Sequence, residues 1–358
     1  MLIGSDNMKY DMFVFAGQSN MMGACALPPK HELKIKKSLE YKYKPVHIGT
    51  GRGVFSPVGY DSGEFLYKDV SLAYSKADEK GQSLLKDYQN NAYFVSALSN
   101  LKDEKEKSVL PFSEYSESER NKACCIVPYF CEEWEKEGGA ALVAHIAQGG
   151  APIGHFFSKE MMKEYNGFAK KNGFSELSGD GEAEAVYVKK CTAFFYDAEK
   201  AFGADSLGEK VLVWNQGESD LADSIKEYEE KLRIFWKKAK SVGFDKLFII
   251  RCSFWGTRKT ANVMAAQERF AAANDDTFII TRALSLMPDP GFMPHIEEFY
   301  TEKPEEDYYY CRDSYSGYNN PHINEKGFII AAKAAARNAF RVLKEHKAPN
   351  LERDTVRY

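Results

Sequence analysis

Five short apolar runs limit what this chain can fold into: residues 12–16, 141–147, 210–215, 247–251 and 277–281. Each is too short for an ordinary helix and apolar at odd and even positions alike. A strand that is greasy on both faces belongs in a parallel sheet covered on both sides by helices. Helical stretches separate the runs: one beginning near Pro128 and ending at Gly138-Gly139, then 183–203, about 222–240, 259–273 and a closing one at about 325–344. Strands alternating with helices predict an α/β chain, a three-layer α/β/α sandwich with a mostly parallel five-stranded sheet.

Composition narrows the function classes. The 358 residues carry a net charge of only −4, with 44% hydrophobic and 28% charged residues. That is the balance of an ordinary globular protein, and it argues against disorder, nucleic-acid binding and a polybasic membrane contact. The expected partner is a small molecule. Seven cysteines, an odd number with Cys124 and Cys125 adjacent, fit reduced thiols better than a disulfide framework. The first residues lack the features of a secretory signal, so a cytoplasmic location is expected. No second ligand pair accompanies Cys124-Cys125-x₅-Cys131, which reads as buried free thiols rather than as a metal site.

Residues 24–120 form a long region rich in Lys, Tyr, Gly and Ser with no sustained period, read as a loop-rich insertion in a single domain spanning 1–358. Within it Gly49-Thr50-Gly51-Arg52-Gly53 fails as a dinucleotide fingerprint, because Val54 replaces the third glycine and the preceding residues make a poor strand. It is read as a substrate-side loop.

The chemistry gathers at strand ends. Gly17 lets the chain turn after the first run and leaves Ser19 at the strand's carboxyl end, the edge where open α/β sheets bind ligands. Gly149-Gly150 follows the second run and Gln216-Gly217-Glu218 the third, while His322 precedes the last helix. Serine, histidine and amide donors describe acyl transfer: Ser19 attacks an ester carbonyl, His322 takes its proton and returns it to the leaving alcohol, and amides hold the oxyanion.

Gly17-Gln18-Ser19-Asn20-Met21, Trp214-Asn215-Gln216-Gly217-Glu218-Ser219-Asp220, and a His followed by Gly327 together resemble the sialate O-acetylesterase and carbohydrate esterase family 6 branch of the SGNH hydrolases. The resemblance covers residues 12–24 and about 124–340. It implies a flavodoxin-like fold, no cofactor, and a serine esterase acting on an O-acetylated carbohydrate, sialic acid first and acetylated xylan or xylo-oligosaccharide next. It implies Ser19 as nucleophile and one oxyanion donor, Gly149 or Gly150 as the second donor, Gln216 as the third, and His322 as base. The family's Asp three residues before the histidine is Asn319 here. Either Glu218 orients His322 in its place, the preferred alternative, or a Ser-His dyad works with a carbonyl. A non-catalytic carbohydrate-binding or regulatory protein on the same scaffold is the rival, motivated by Asn319.

Gln18, Asn20 and His155 are candidate substrate contacts, and Arg52 and Arg258 are candidates should the substrate carry a carboxylate. Plainer roles stand beside these. Ser19 alone would read as a turn residue, His145 as a structural group within a buried strand, and His295 as a competitor for the base. Glu218 fits a first-turn carboxylate equally well, and for Asp220 helix N-capping is preferred.

Overall fold

The first run becomes β1 (Tyr10–Gly17), a strand buried from Asp11 onward that accepts neighbours on both edges. The structure, a computed structural model, describes residues 9–23, 31–43, 53–58, 125–253, 260–287, 323 and 325–351. Parallel to β1 lie β4 (Ala141–Ala147) on one side and β5 (Leu207–Asn215) on the other, with Phe15 in register with His145 and with Val213. Beyond β5 come β6 (Lys246–Ile250) and β7 (Thr277–Thr281), also parallel. Beyond β4 comes β2 (Leu39–Tyr43), parallel to it, and then β3 (Gly53–Pro57), which runs antiparallel on the edge. The order is β3-β2-β4-β1-β5-β6-β7.

The sheet therefore has seven strands where the sequence led to five. All five expected strands are present, with ends shifted by a few residues. The additions come from within residues 24–120, which is not wholly irregular. Leu39-Glu40-Tyr41-Lys42-Tyr43 alternates instead of running apolar, and β3 ends at Pro57, which suits an edge where no ladder donor is needed. Residues 49–52, including Arg52, lie outside the described residues.

Helices cover both faces. They are α1 (Ser19–Met22), α2 (Ile126–Lys136), α3 (Lys159–Asn172), α4 (Glu182–Phe202), α5 (Ile225–Val242), α6 (Thr260–Ala272), α7 (Ala283–Leu286) and α8 (Glu325–Leu343). Phe13 and Phe15 meet Phe130 of α2 edge-on at 5.1 Å, and Phe340 of α8 packs on Trp134 at 5.3 Å. On the opposite face Trp214 meets Phe235 of α5 at 4.4 Å and Phe156 at 5.2 Å. Phe13 and Phe15, two residues apart, thus share one face, and Trp214, in register with Ala16, takes the other, as the two-residue strand period requires. No helix among the described residues is long and apolar enough to cross a membrane.

The connections position the site. From β1 the chain goes out to β2 and β3, returns to β4, and then crosses to β5, β6 and β7. The winding reverses at β1, and a sheet of this kind opens a crevice outside the carboxyl ends of the strands at the reversal. Ser19 lies there.

Candidate active site

Gly17 explains why the turn is so tight. Its φ is 148°, and a Cβ there would fall 1.9 Å from the carbonyl oxygen of Asn215, so only glycine fits. The close approach lets the Gln18 amide donate to Asn215 O at 3.0 Å, while the Gln148 amide donates to Gly17 O at 2.9 Å. The ends of β4, β1 and β5 are stitched together immediately before the serine. Ser19 opens α1, a single turn closed by Gly23 in the left-handed region, and is half-buried. His145 braces that turn: its Nε2 lies 2.7 Å from Met21 O, an obligate acceptor, and burial pushes its pKa down to about 4. It is neutral and structural.

Gln18 and Asn20, expected at the substrate, are buried and turned into the protein. Gln18 Oε1 accepts from the Ser219 amide at 3.2 Å and from Gln216 Nε2 at 3.3 Å. Asn20 Nδ2 reaches Ser253 Oγ at 3.3 Å and Glu218 Oε1 at 3.4 Å, and its Oδ1 accepts from the Ile323 amide at 3.4 Å. These side chains tether the segments around the serine to one another. Ile323 directly follows His322, which itself lies outside the described residues, as do Asn319, Arg258 and His295.

After β4, Gly149 is half-buried and Gly150 exposed. Gly150 adopts φ 69°, and a Cβ there would meet nothing within 4 Å, so backbone conformation rather than crowding calls for glycine. His155 is half-buried in a 3₁₀ turn (Ile153–Phe156); burial lowers its pKa against the opposing pull of Asp180.

The third strand end is the most constrained. Gln216 is fully buried, with Nε2 directed to Asp220 Oδ2, to Ala151 O at 3.1 Å and to Gln18, while Oε1 accepts from the Tyr228 hydroxyl at 2.9 Å. Its backbone carbonyl accepts from Gln267 Nε2 at 2.7 Å and from Tyr228 at 3.1 Å. Both amide hydrogens have acceptors inside the protein. Gly217 follows at φ 150°, where a Cβ would sit 2.6 Å from Val263 Cγ1, so the chain bends without displacing α6.

Glu218 is 1% exposed. Its Oε1 accepts from the Ser253 amide at 2.9 Å, the Ser253 hydroxyl at 2.6 Å and Asn20. Its Oε2 is buried with no hydrogen-bond partner among the described residues. Asp220, two residues on, caps no helix: α5 starts at Ile225, and Ser224 and Glu227 form its capping box. The N-capping expectation fails because the helix begins later than the charged sequence implies and brings its own cap. The Asp220 carboxylate instead accepts from Gln216 and from the Ile153 amide at 2.8 Å.

Ser253, Tyr228, Gln267 and Lys231 escaped sequence reading, since none belongs to a motif. Cys125 and Cys131 are buried free thiols, and burial drives the Cys131 thiol well above its ordinary pKa. Among the described residues no group of three or more His, Cys, Asp or Glu side chains could hold a metal ion.

No family model and no curated protein matches the chain. Among solved structures it is similar to the crystal structure of NanS, at 12% identity and a TM-score of 0.47, over 95% of this chain and 99% of that one. It is similar also to XAC1771, a carbohydrate acetylesterase from Xanthomonas citri, at 11% identity and a TM-score of 0.41, over 94% of this chain and 57% of that one.

Proposed function

We propose that this chain is a serine esterase that removes O-acetyl groups from a carbohydrate, with O-acetylated sialic acid as the first substrate to test and acetylated xylan or xylo-oligosaccharide the second. Ser19 is the nucleophile, His322 the general base and Glu218 the acid that orients the histidine. The observation that carries it is the buried Oε2 of Glu218, which has no hydrogen-bond donor among the described residues. A buried carboxylate oxygen without a donor is costly, and an imidazole N–H would supply one. The Ile323 amide on Asn20 supports the same pairing, because Asn20 touches Glu218 and adjoins Ser19. The carbohydrate class comes from the motifs around Ser19 and Gln216.

His322 takes the Ser19 proton as the hydroxyl attacks the acetyl carbon, then passes it to the leaving sugar oxygen; water repeats the cycle to release acetate. The backbone N–H groups of Ser19 and of Gly149 or Gly150 hold the oxyanion. Gln216, with its amide engaged by Asp220, Ala151 and Gln18, serves as the post that keeps those donors in place.

Hydrolysis of p-nitrophenyl acetate, followed by acetate release from the two sugar classes, tests the assignment. Wild type turns over, and Ser19→Ala and His322→Ala each lose about 10³-fold or more in kcat. Retained activity in Ser19→Ala defeats the mechanism. Sugar binding by wild type without turnover would instead identify a non-catalytic carbohydrate-binding protein.

A further inference from the structure

Three pieces of the site meet on Asp220. Its Oδ2 accepts from Gln216 Nε2 at the end of β5 and from the Ile153 amide in the segment after β4. Its Oδ1 faces Nζ of Lys231, on α5, at 3.5 Å. Lys231 is itself buried; it donates to both oxygens of Asp223, at 2.8 and 2.7 Å, and lies over the Tyr165 ring.

This arrangement fixes two things at once. A carboxylate only accepts, so the nitrogen end of Gln216 must face Asp220, and the Tyr228 hydroxyl on Oε1 holds the other end. The segment from Gln148 to Ile153 is pinned by Gln148 N–H on Gly17 O at one end and by Ile153 N–H on Asp220 at the other, with Ala151 O held by Gln216 between them. The Gly149-Gly150 turn lies inside that span. Its place at the carboxyl end of β1 is therefore set by Gly17 from one side and by Asp220 from the other.

We propose, on the premise that Ser19 is the nucleophile, that Asp220, charge-compensated by Lys231, is a positioning residue for the oxyanion side of the site. It locks Gln216 and residues 149–153 into one unit, so that the backbone donors need no reorganisation as negative charge develops. Asp220 touches no reacting atom. Its effect on catalysis passes through the glycine turn.

Full-length wild type and Asp220→Asn are compared in two measurements. The first is hydrogen exchange over residues 148–157. The second is kcat and KM for p-nitrophenyl acetate, counted per active site titrated with a fluorophosphonate, so that misfolded molecules are not scored. In Asp220→Asn exchange speeds up on the order of tenfold, and kcat per site falls about 100-fold with KM within about twofold. Asp223→Asn, which leaves the Asp220 contacts in place, changes neither. Should Asp220→Asn fail to fold, Ile153→Pro removes the backbone donor at the start of a turn, where proline is tolerated, and gives the same pattern. Unchanged exchange overturns the proposal, and so does faster exchange with unchanged kcat per site. If wild type neither reacts with the fluorophosphonate nor hydrolyses the ester while exchange still accelerates, the esterase assignment has failed; the tether is then structural and the positioning role is lost with it.

Discussion

Glu218 and Asp220 share one turn, and both are almost fully buried, at 1% and 5% exposure, yet they are satisfied in opposite ways. Asp220 has two donors on Oδ2 and an ammonium near Oδ1. Glu218 has its donors crowded on Oε1 and none among the described residues on Oε2. A carboxylate whose lone pairs are filled by backbone and amide is part of the scaffold. One held by a single oxygen, with no donor on the other among the described residues, has an acceptor to offer, and the proposed role of Glu218 rests on that. Burial alone would not have separated the two, because what differs is where the donors sit.

Replacing each group, or its partner, sharpens the contrast. Glu218→Gln keeps an oxygen for the Ser253 amide but removes the charge that would stabilise an imidazolium. It should lower kcat on the order of 10³–10⁴-fold, with little change in thermal midpoint, in the p-nitrophenyl acetate assay. An unchanged rate would assign Glu218 to the scaffold beside Asp220 and leave a Ser-His dyad. Lys231→Met acts on the other member. It strands the Asp220 and Asp223 carboxylates without their cation in a buried place, and should cost about 3–5 kcal/mol in urea unfolding at pH 7. At pH 5, below the Asp223 pKa of about 6, part of that loss should return as that carboxyl takes up its proton. A loss that stays the same at both pH values would mean that Lys231 contributes packing rather than charge.

How much of this could be read from the chain depends on whether the signal is local. Runs that are apolar on both faces announce β1, β4, β5, β6 and β7, because only a covered parallel sheet accepts them. The strand β2 carries no such mark; Glu40 and Lys42 interrupt it, and pairing with β4 makes it a strand. Ser19, Gln216 and Glu218 stand in motifs and were legible as a set. Lys231 was not, since it is one of several lysines on the charged helix α5, and tertiary packing alone decides which of them is buried beside Asp220. Ser253 is a single serine after β6, placed on Glu218 by the sheet's register. Asp220 had the right position for a cap and the wrong neighbours, because Ser224 and Glu227 close the helix themselves.

Asp223 provides the mildest test of the scaffold side. Desolvation raises its pKa to about 6 despite the pull of Lys231, and Asp220 and Glu227 add to the rise. Tyr165, which lies beneath Lys231, keeps its phenol protonated throughout this range, since its pKa is also raised. A carboxyl group with a higher pKa folded than unfolded binds more protons in the native state, so its contribution to stability is greatest below the unfolded pKa of about 3.9 and falls as pH rises. The fall spans about pH 4 to 6 and levels off above that, and over the whole window it amounts to about 3 kcal/mol. Asp223→Asn cannot titrate. The difference in unfolding free energy between wild type and Asp223→Asn, taken from urea midpoints and slopes at pH 4, 5, 6 and 7, should therefore move against wild type by up to that amount and then stay flat. A difference that moves in favour of wild type as pH rises would mean that Lys231 outweighs burial at Asp223, and the two carboxylates around that lysine would then be equal partners in the scaffold.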